Sequence, residues 1–310
     1  MLNSLVVCTV AVLLDRLLGE PKRFHPLVGF GRVASTVEAR LNRQNSRSRS
    51  AGALTLVLLL TPVLLAVLLQ WWLPGLLWLL VELVVVYLAL GLRSLADHAQ
   101  AVSEPLSRGD MDRAREQLAR LVSRDVEALD ESGLAAGATE SVLENGSDAV
   151  VATLFWFLVA GVPGVIAHRL VNTLDAMWGY RTERFERFGW AAARLDDVLG
   201  WLPARLTALA YALLGRTAPA LRCWQTQAGQ CQSPNAGAVM AAGAGALGLR
   251  LGGPARYHGK LRPRPWLGEG AAPDADSPMY ALVLLGRSVL VLLALAWLGV
   301  GLWLWFTAAG

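Results

Sequence analysis

Hydrophobic residues in this chain come in long uncharged runs, with the polar residues gathered between them. No charged residue occurs from Ser50 to Val81, and the Gln70-Trp71-Trp72-Leu73-Pro74-Gly75 interruption divides a helical hairpin into Ala51–Leu69 and Gly75–Leu92. Each half is close to the roughly 20 residues that carry a helix across about 30 Å of hydrocarbon. Residues 51–92 therefore read as a transmembrane hairpin. Ala149–Ala167 is a third uncharged run and Ser288–Phe306 a fourth. The last ends in Trp303 and Trp305, as an interfacial aromatic belt would, and a C-terminal transmembrane helix is expected over 284–306. Met1–Leu14 is apolar but shorter, and Asp15-Arg16 follows at once. A signal peptide would carry its positive charge before the apolar run and a small-residue cleavage site after it. The expectation for 1–18 is an uncleaved short helix, spanning or lying in the interface.

The third run holds Gly161-Val162-Pro163-Gly164, and a basic loop with Arg169, Arg181, Arg184, Arg187 and Arg194 follows. A full crossing would put that loop on the side that basic loops avoid. The expected form of 149–167 is a broken, re-entrant pair, which is tolerated at membrane depth when buried in protein. Between the runs, Met111–Val122 has apolar residues at helical spacing. Ser123 reads as the cap of a helix over Asp125–Leu129 that Gly133 ends, Pro203 interrupts a weakly apolar helix over 198–215, and Arg43–Ser50 reads as a polar linker. Residues 235–253 are dominated by Ala and Gly, which lets backbones approach closely. Strand signals are scarce. The pattern predicts an all-α polytopic membrane protein with roughly four to six membrane segments. A single membrane-embedded domain is expected over 1–310, with the site in 93–283.

Composition agrees: of 310 residues, 55% are hydrophobic and 17% charged, against roughly 25% charged in soluble domains. The net charge of +4 lies mostly in two loop regions. Segment 19–50 carries seven Lys and Arg against Glu20 and Glu38, and segment 216–264 is also basic. By the positive-inside rule both face the cytoplasm, so a multi-pass protein of the cell (inner) membrane is expected, with its polar site on the cytoplasmic side. No basic patch with interleaved aromatics points to nucleic acid. Cys8, Cys223 and Cys231 have no metal-like spacing, and the four histidines are scattered.

Five polar blocks stand out. In Ala138–Gly161, Glu140, Glu144 and Asp148 occur at i, i+4 and i+8 with Asn145 beside them. Such a face suits a divalent cation, since Mg²⁺ takes oxygen ligands, or is a solvated helix face. Asn172-Thr173-Leu174-Asp175 precedes Arg181, Arg184 and Arg187. Its oxygens suit a metal or amine and its guanidiniums suit phosphate, although a cap before a basic helix explains it equally well. Arg194-Leu195-Asp196-Asp197 offers a paired carboxylate for Mg²⁺–phosphate or a capping and salt-bridge device. Ser233-Pro234-Asn235-Ala236-Gly237 and Gly252-Gly253, with Tyr257-His258-Gly259, let a ligand approach the backbone or serve helix packing alone. The fifth block is Asp15–Pro21 with His25–Gly29.

These blocks carry a resemblance. The strings LDRLLGEPKRFHPLVGFGR, SRD with ATESVLENGSDAVVA, VNTLDAMWGYRTERFERFGWAAARLDDVLGWLPARLTA and SPNAGAVMAAGAGALGLRLGGPARYHGK occur in this order. They resemble the adenosylcobinamide-phosphate synthase family of cobalamin biosynthesis (CobD/CbiB). The chain departs from the family pattern at Ala149, Thr153 and Gly200. The resemblance implies an ATP- and Mg²⁺-dependent ligase that joins adenosylcobyric acid, a corrinoid, to (R)-1-amino-2-propanol or its O-phosphate through an amide. It also implies contact with membrane lipid and with other cobalamin-pathway enzymes. On that basis Glu140, Glu144, Asp148, Asp196 and Asp197 are expected Mg²⁺ ligands. Arg181, Arg184 and Arg194 would hold phosphates or the corrinoid's anionic groups, Asn172 and Asp175 would orient or deprotonate the amine, and Asn235, Gly252 and Gly253 would line the corrinoid cleft. Glu140 and Glu144 are counted with the catalytic residues as well. The rival readings are a membrane metal-dependent transferase of phosphorylated or prenyl substrates, which usually shows repeated DxxxD-like motifs, and a transporter, which would show inverted repeats.

Overall fold

The computed structural model describes residues 2–21, 23, 25–42, 48–257 and 259–309. Most of the linker expected at 43–50, and His258 of the fourth block, lie outside the described residues. In chain order the helices are α1 (Leu2–Leu18), α2 (Pro26–Leu41), α3 (Arg49–Leu59), α4 (Thr61–Trp72), α5 (Gly75–Ala89), α6 (Leu92–Ser107), α7 (Met111–Leu118) and α8 (Glu131–Gly146). A π-helical turn (Ser147–Val151) leads into α9 (Ala152–Trp178), followed by α10 (Trp190–Leu214), α11 (Thr217–Gln227) and α12 (Pro234–Leu247). Four short strands, β1 (Leu251–Gly252), β2 (Ala255–Tyr257), β3 (Lys260–Arg262) and β4 (Trp266–Leu267), precede α13 (Ser277–Ala309). β1 pairs antiparallel with β4, and β2 with β3. The protein is mostly helical, as the pattern predicts. Among the described residues four helical stretches are long and apolar enough to cross a membrane: Arg49–Trp72, Gly75–Ser107, Glu131–Trp178 and Ser277–Ala308.

The chain forms two compact units, one of Met1–Gly91 with Ala152–Leu202 and the other of Leu92–Val151 with Pro203–Gly310. In the first, the hairpin turn falls at Leu73-Pro74, inside the expected interruption. α9 is not straight. Gly161 has φ 62° and ψ −153°, outside helical space. A side chain on Gly164 would stand 2.6 Å from the Trp156 carbonyl oxygen, whereas residues eight apart in a continuous helix lie about 12 Å apart along the axis. The segments on either side of Gly161 thus fold back on each other. The unit's core gathers Leu56, Leu59, Val171, Leu174 and Trp178, with Phe188 edge-on to Trp178 at 5.1 Å. Gly52 is needed here, because any Cβ would strike the Phe188 carbonyl.

In the second unit the Ala/Gly-rich α12 is buried almost throughout. It packs on α11 and α8, and a Cβ on Gly243 would meet the Leu143 side chain at 2.7 Å. Asp130 caps α8 by accepting from the Gly133 N–H at 2.8 Å. Gly133 therefore starts a helix instead of ending one. No helix forms over Asp125–Leu129, which runs as turns with the Asp125 N–H donating to the Arg256 carbonyl at 2.8 Å. Nor does Pro203 interrupt α10, which continues through it to Leu214.

Candidate functional site

Each unit carries its own set of buried charge. In the second, Glu140 on α8 is 5% exposed, so its charge requires partners. Its Oε2 accepts from Arg124 Nη2 and Arg264 Nη2, both at 3.0 Å, and its Oε1 accepts from the Gly252 N–H at 2.8 Å. Gly252 has φ 79°, and a Cβ there would strike the Pro265 carbonyl, so glycine is what presents this N–H. Asp125 clamps the adjoining turn, accepting from the Gly259 N–H at 2.7 Å. Burial pulls the Arg264 guanidinium down, but the Glu140 charge and hydrogen bond, with the Tyr257 and Glu144 charges, together more than offset this and hold it above its ordinary value. The Cys231 thiol is pushed up by burial, with the Glu144 and Glu140 charges adding to the rise against Arg264. Burial, then the Asp148 charge, raises the Tyr211 hydroxyl as well.

The carboxylate face expected at 140–148 is therefore reorganised. Glu140 is engaged by two arginines and a backbone amide in an ion-pair network. Glu144 lies one turn further along α8, close enough for its charge to act on Arg264 and Cys231. Asp148 falls within the π-helical turn, where the extra residue breaks the i, i+4, i+8 phase. Asn145 donates to the Ser141 hydroxyl at 2.9 Å. Asn235, at the start of α12, accepts from Arg205 Nη1 at 2.6 Å, and Gly253 (φ 79°) sits under the Trp266 ring, against whose face Arg250 stacks.

In the first unit α9 and α10 bring together the second and third blocks. Asn172 Nδ2 donates to Asp196 Oδ1 at 3.3 Å. Asp175, one turn beyond Asn172, lies within reach of the Asp197 charge, and Arg194 approaches Asp197 at 3.6 Å. Arg184 is spoken for: it forks onto the buried Glu38 at 3.0 and 2.6 Å, and that contact holds its guanidinium above its ordinary value. Arg181 and Arg194 are exposed. Among the described residues no group of three or more His, Cys, Asp or Glu could hold a metal ion. Two carboxylates repelling each other beside an amide still suit a Mg²⁺ that takes one or two carboxylates and completes its shell with phosphate and water.

Arg124, Arg264 and Glu38 escaped sequence reasoning. A signal existed for the first two, since a buried glutamate demands cations, but they lie 16 and 124 residues from Glu140.

The fold and these two sets define a helical protein of membrane-spanning character with buried ionic sites. The family described as CobD/Cbib protein matches residues 8–285, and the chain belongs to that family. It is 59% identical over 295 residues to a protein of Stutzerimonas stutzeri named Cobalamin biosynthesis protein CobD, covering 95% of this chain and 93% of the relative. Relatives of the same name are 53% identical in Chromobacterium violaceum (98% and 95% covered) and 44% identical in Mycobacterium tuberculosis (89% of each). No solved structure matches.

Proposed function

We propose that this protein is an ATP-dependent amide ligase of cobalamin biosynthesis, joining adenosylcobyric acid to (R)-1-amino-2-propanol O-phosphate or to the free aminopropanol. Membership of a family whose relatives are named for cobalamin biosynthesis supports the pathway. The observation that carries the reaction is the α9–α10 set, where Asn172, Asp175, Asp196 and Asp197 gather on two helices of one unit. Amide formation needs such a set. A carboxylate resists an amine at neutral pH until one of its oxygens is made a leaving group. Attack of the propionate oxygen on the γ-phosphorus of ATP gives an acyl phosphate and releases ADP. The amine nitrogen then bonds to the acyl carbon, its proton passes to a base, and phosphate leaves with the former carboxylate oxygen.

Asp175 would take that proton, and Asn172 would orient the amine. Asp196 and Asp197 would hold Mg²⁺, which neutralises polyphosphate charge when bound. Arg194 and Arg181 are available to phosphate or to the corrinoid's anionic groups, and Asn235, Gly252 and Gly253 are candidates for corrinoid contact. Glu140 is left out of the ligand set, and Arg184 is left to Glu38. Loop charge supports a site on the cytoplasmic side of the inner membrane, where ATP is available. Membranes carrying the protein, given adenosylcobyric acid, ATP, Mg²⁺ and each amine in turn, should yield an ATP-dependent corrinoid amide. No such product with either amine sinks the reading.

A further inference from the structure

His168 belongs to none of the roles above, yet it is 1% exposed, and among the described residues its Nδ1 has no hydrogen-bond partner. A buried polar atom left unpaired is rare and costs free energy, so it requires an explanation. Its position supplies one. On the segment of α9 after Gly161, His168, Asn172 and Asp175 stand at i, i+4 and i+7, within about 60° of one another around the axis. Asn172 reaches Asp196 of α10, so this stripe faces the carboxylates of the first unit. From Asp175 back to His168 the stripe runs from a carboxyl group, through an amide, to an imidazole whose Nδ1 has no partner among the described residues. Near His168, Val165, Leu170 and Val171 are buried, and the neighbouring Arg169 turns to the same stripe, donating to Asn172 Oδ1 at 3.5 Å.

We propose that His168 is a substrate-binding residue for a small primary amine that carries an oxygen on the carbon next to its aminomethyl group. Asp175 and Asn172 take the nitrogen end and His168 Nδ1 hydrogen-bonds the oxygen end. The inference rests on the ligase reading and deepens it by naming which substrate the α9 stripe receives. An amine without that oxygen leaves Nδ1 unpaired and binds more weakly, which gives the site a means of telling an amino alcohol from a plain alkylamine.

Steady-state kinetics of the full-length protein in nanodiscs test this, varying the amine, ATP and adenosylcobyric acid separately. His168→Leu removes the hydrogen bond and fills the space; His168→Asn puts an amide nitrogen near the place of Nδ1. The expected result is about a tenfold rise in KM for the amine in His168→Leu, the worth of one hydrogen bond, with KM for ATP and corrinoid unchanged. His168→Asn should recover most of the loss, and propylamine should show no difference between wild type and His168→Leu. Thermal unfolding should find His168→Leu no less stable than wild type. An unchanged amine KM in His168→Leu, an equal loss for propylamine, or a marked loss of thermal stability would overturn the proposal. Absence of product from the wild-type protein would instead overturn the ligase reading.

Discussion

Glu140 and Arg124 meet at 3.0 Å with both side chains only 7% exposed. Neither charge could be left there alone, because a buried ion without its partner pays a desolvation cost with nothing to offset it. Arg124→Ala should destabilise the protein by about 3–5 kcal/mol. Arg264→Ala should cost less, since Arg264 is 22% exposed and Arg124 would remain on the same oxygen. Unfolding in mixed detergent micelles would measure both. Equal, near-zero effects would show that the network carries no stability.

Gly252 offers a second handle on the same network. With φ at 79° and the Pro265 carbonyl where a Cβ would stand, Gly252→Ala is expected to lose about 1–3 kcal/mol through strain. The Glu140 contact should weaken with it, read as faster proteolysis of the 251–267 segment. An alanine variant as stable and protected as wild type would contradict the local geometry.

Cys231 reports on the charge around it. Its thiol is raised by burial and by Glu144 and Glu140, so at neutral pH it stays protonated and reacts slowly. The pH–rate profile for iodoacetamide should therefore have its midpoint above that of an unperturbed thiol. Negative charge stabilises the protonated form, so Glu144→Gln should move the midpoint down and speed alkylation at fixed pH. A shift in the other direction would refute the placement of Glu144.

Asp175→Asn should leave the protein folded and lower the single-turnover rate of amide formation by about 10²–10⁴-fold, the usual loss when a general base is removed. Asp197→Asn should act on the Mg²⁺ concentration needed for half-maximal rate. Rates unchanged in both would remove the α9–α10 set from the chemistry.

Much of the fold was legible because the bilayer imposes long uncharged runs, and the hairpin turn, the break at Gly161 and the close-packed α12 all follow from residues seen in isolation. What escaped depends on distant partners. Asp125–Leu129 has the look of a short capped helix, but Arg256 and Gly259 take its polar groups instead. Pro203 reads as a breaker, yet α10 packs Ala204, Ala208 and Tyr211 into the core and tolerates one lost backbone bond. In the candidate site, Asn172, Asp175, Asp196 and Asp197 were recognisable by residue type. The fate of Glu140 was not, because Gly252 and Arg264 approach it from more than 100 residues away.

The most direct measurement follows oxygen. Purified protein in nanodiscs would be given adenosylcobyric acid labelled with ¹⁸O in its free carboxylate, together with ATP, Mg²⁺ and (R)-1-amino-2-propanol O-phosphate. An acyl-phosphate ligase yields one ADP, one amide and one inorganic phosphate bearing a single labelled oxygen. Unlabelled phosphate, or no ATP-dependent amide from folded protein with either the amine or its phosphate, would contradict it.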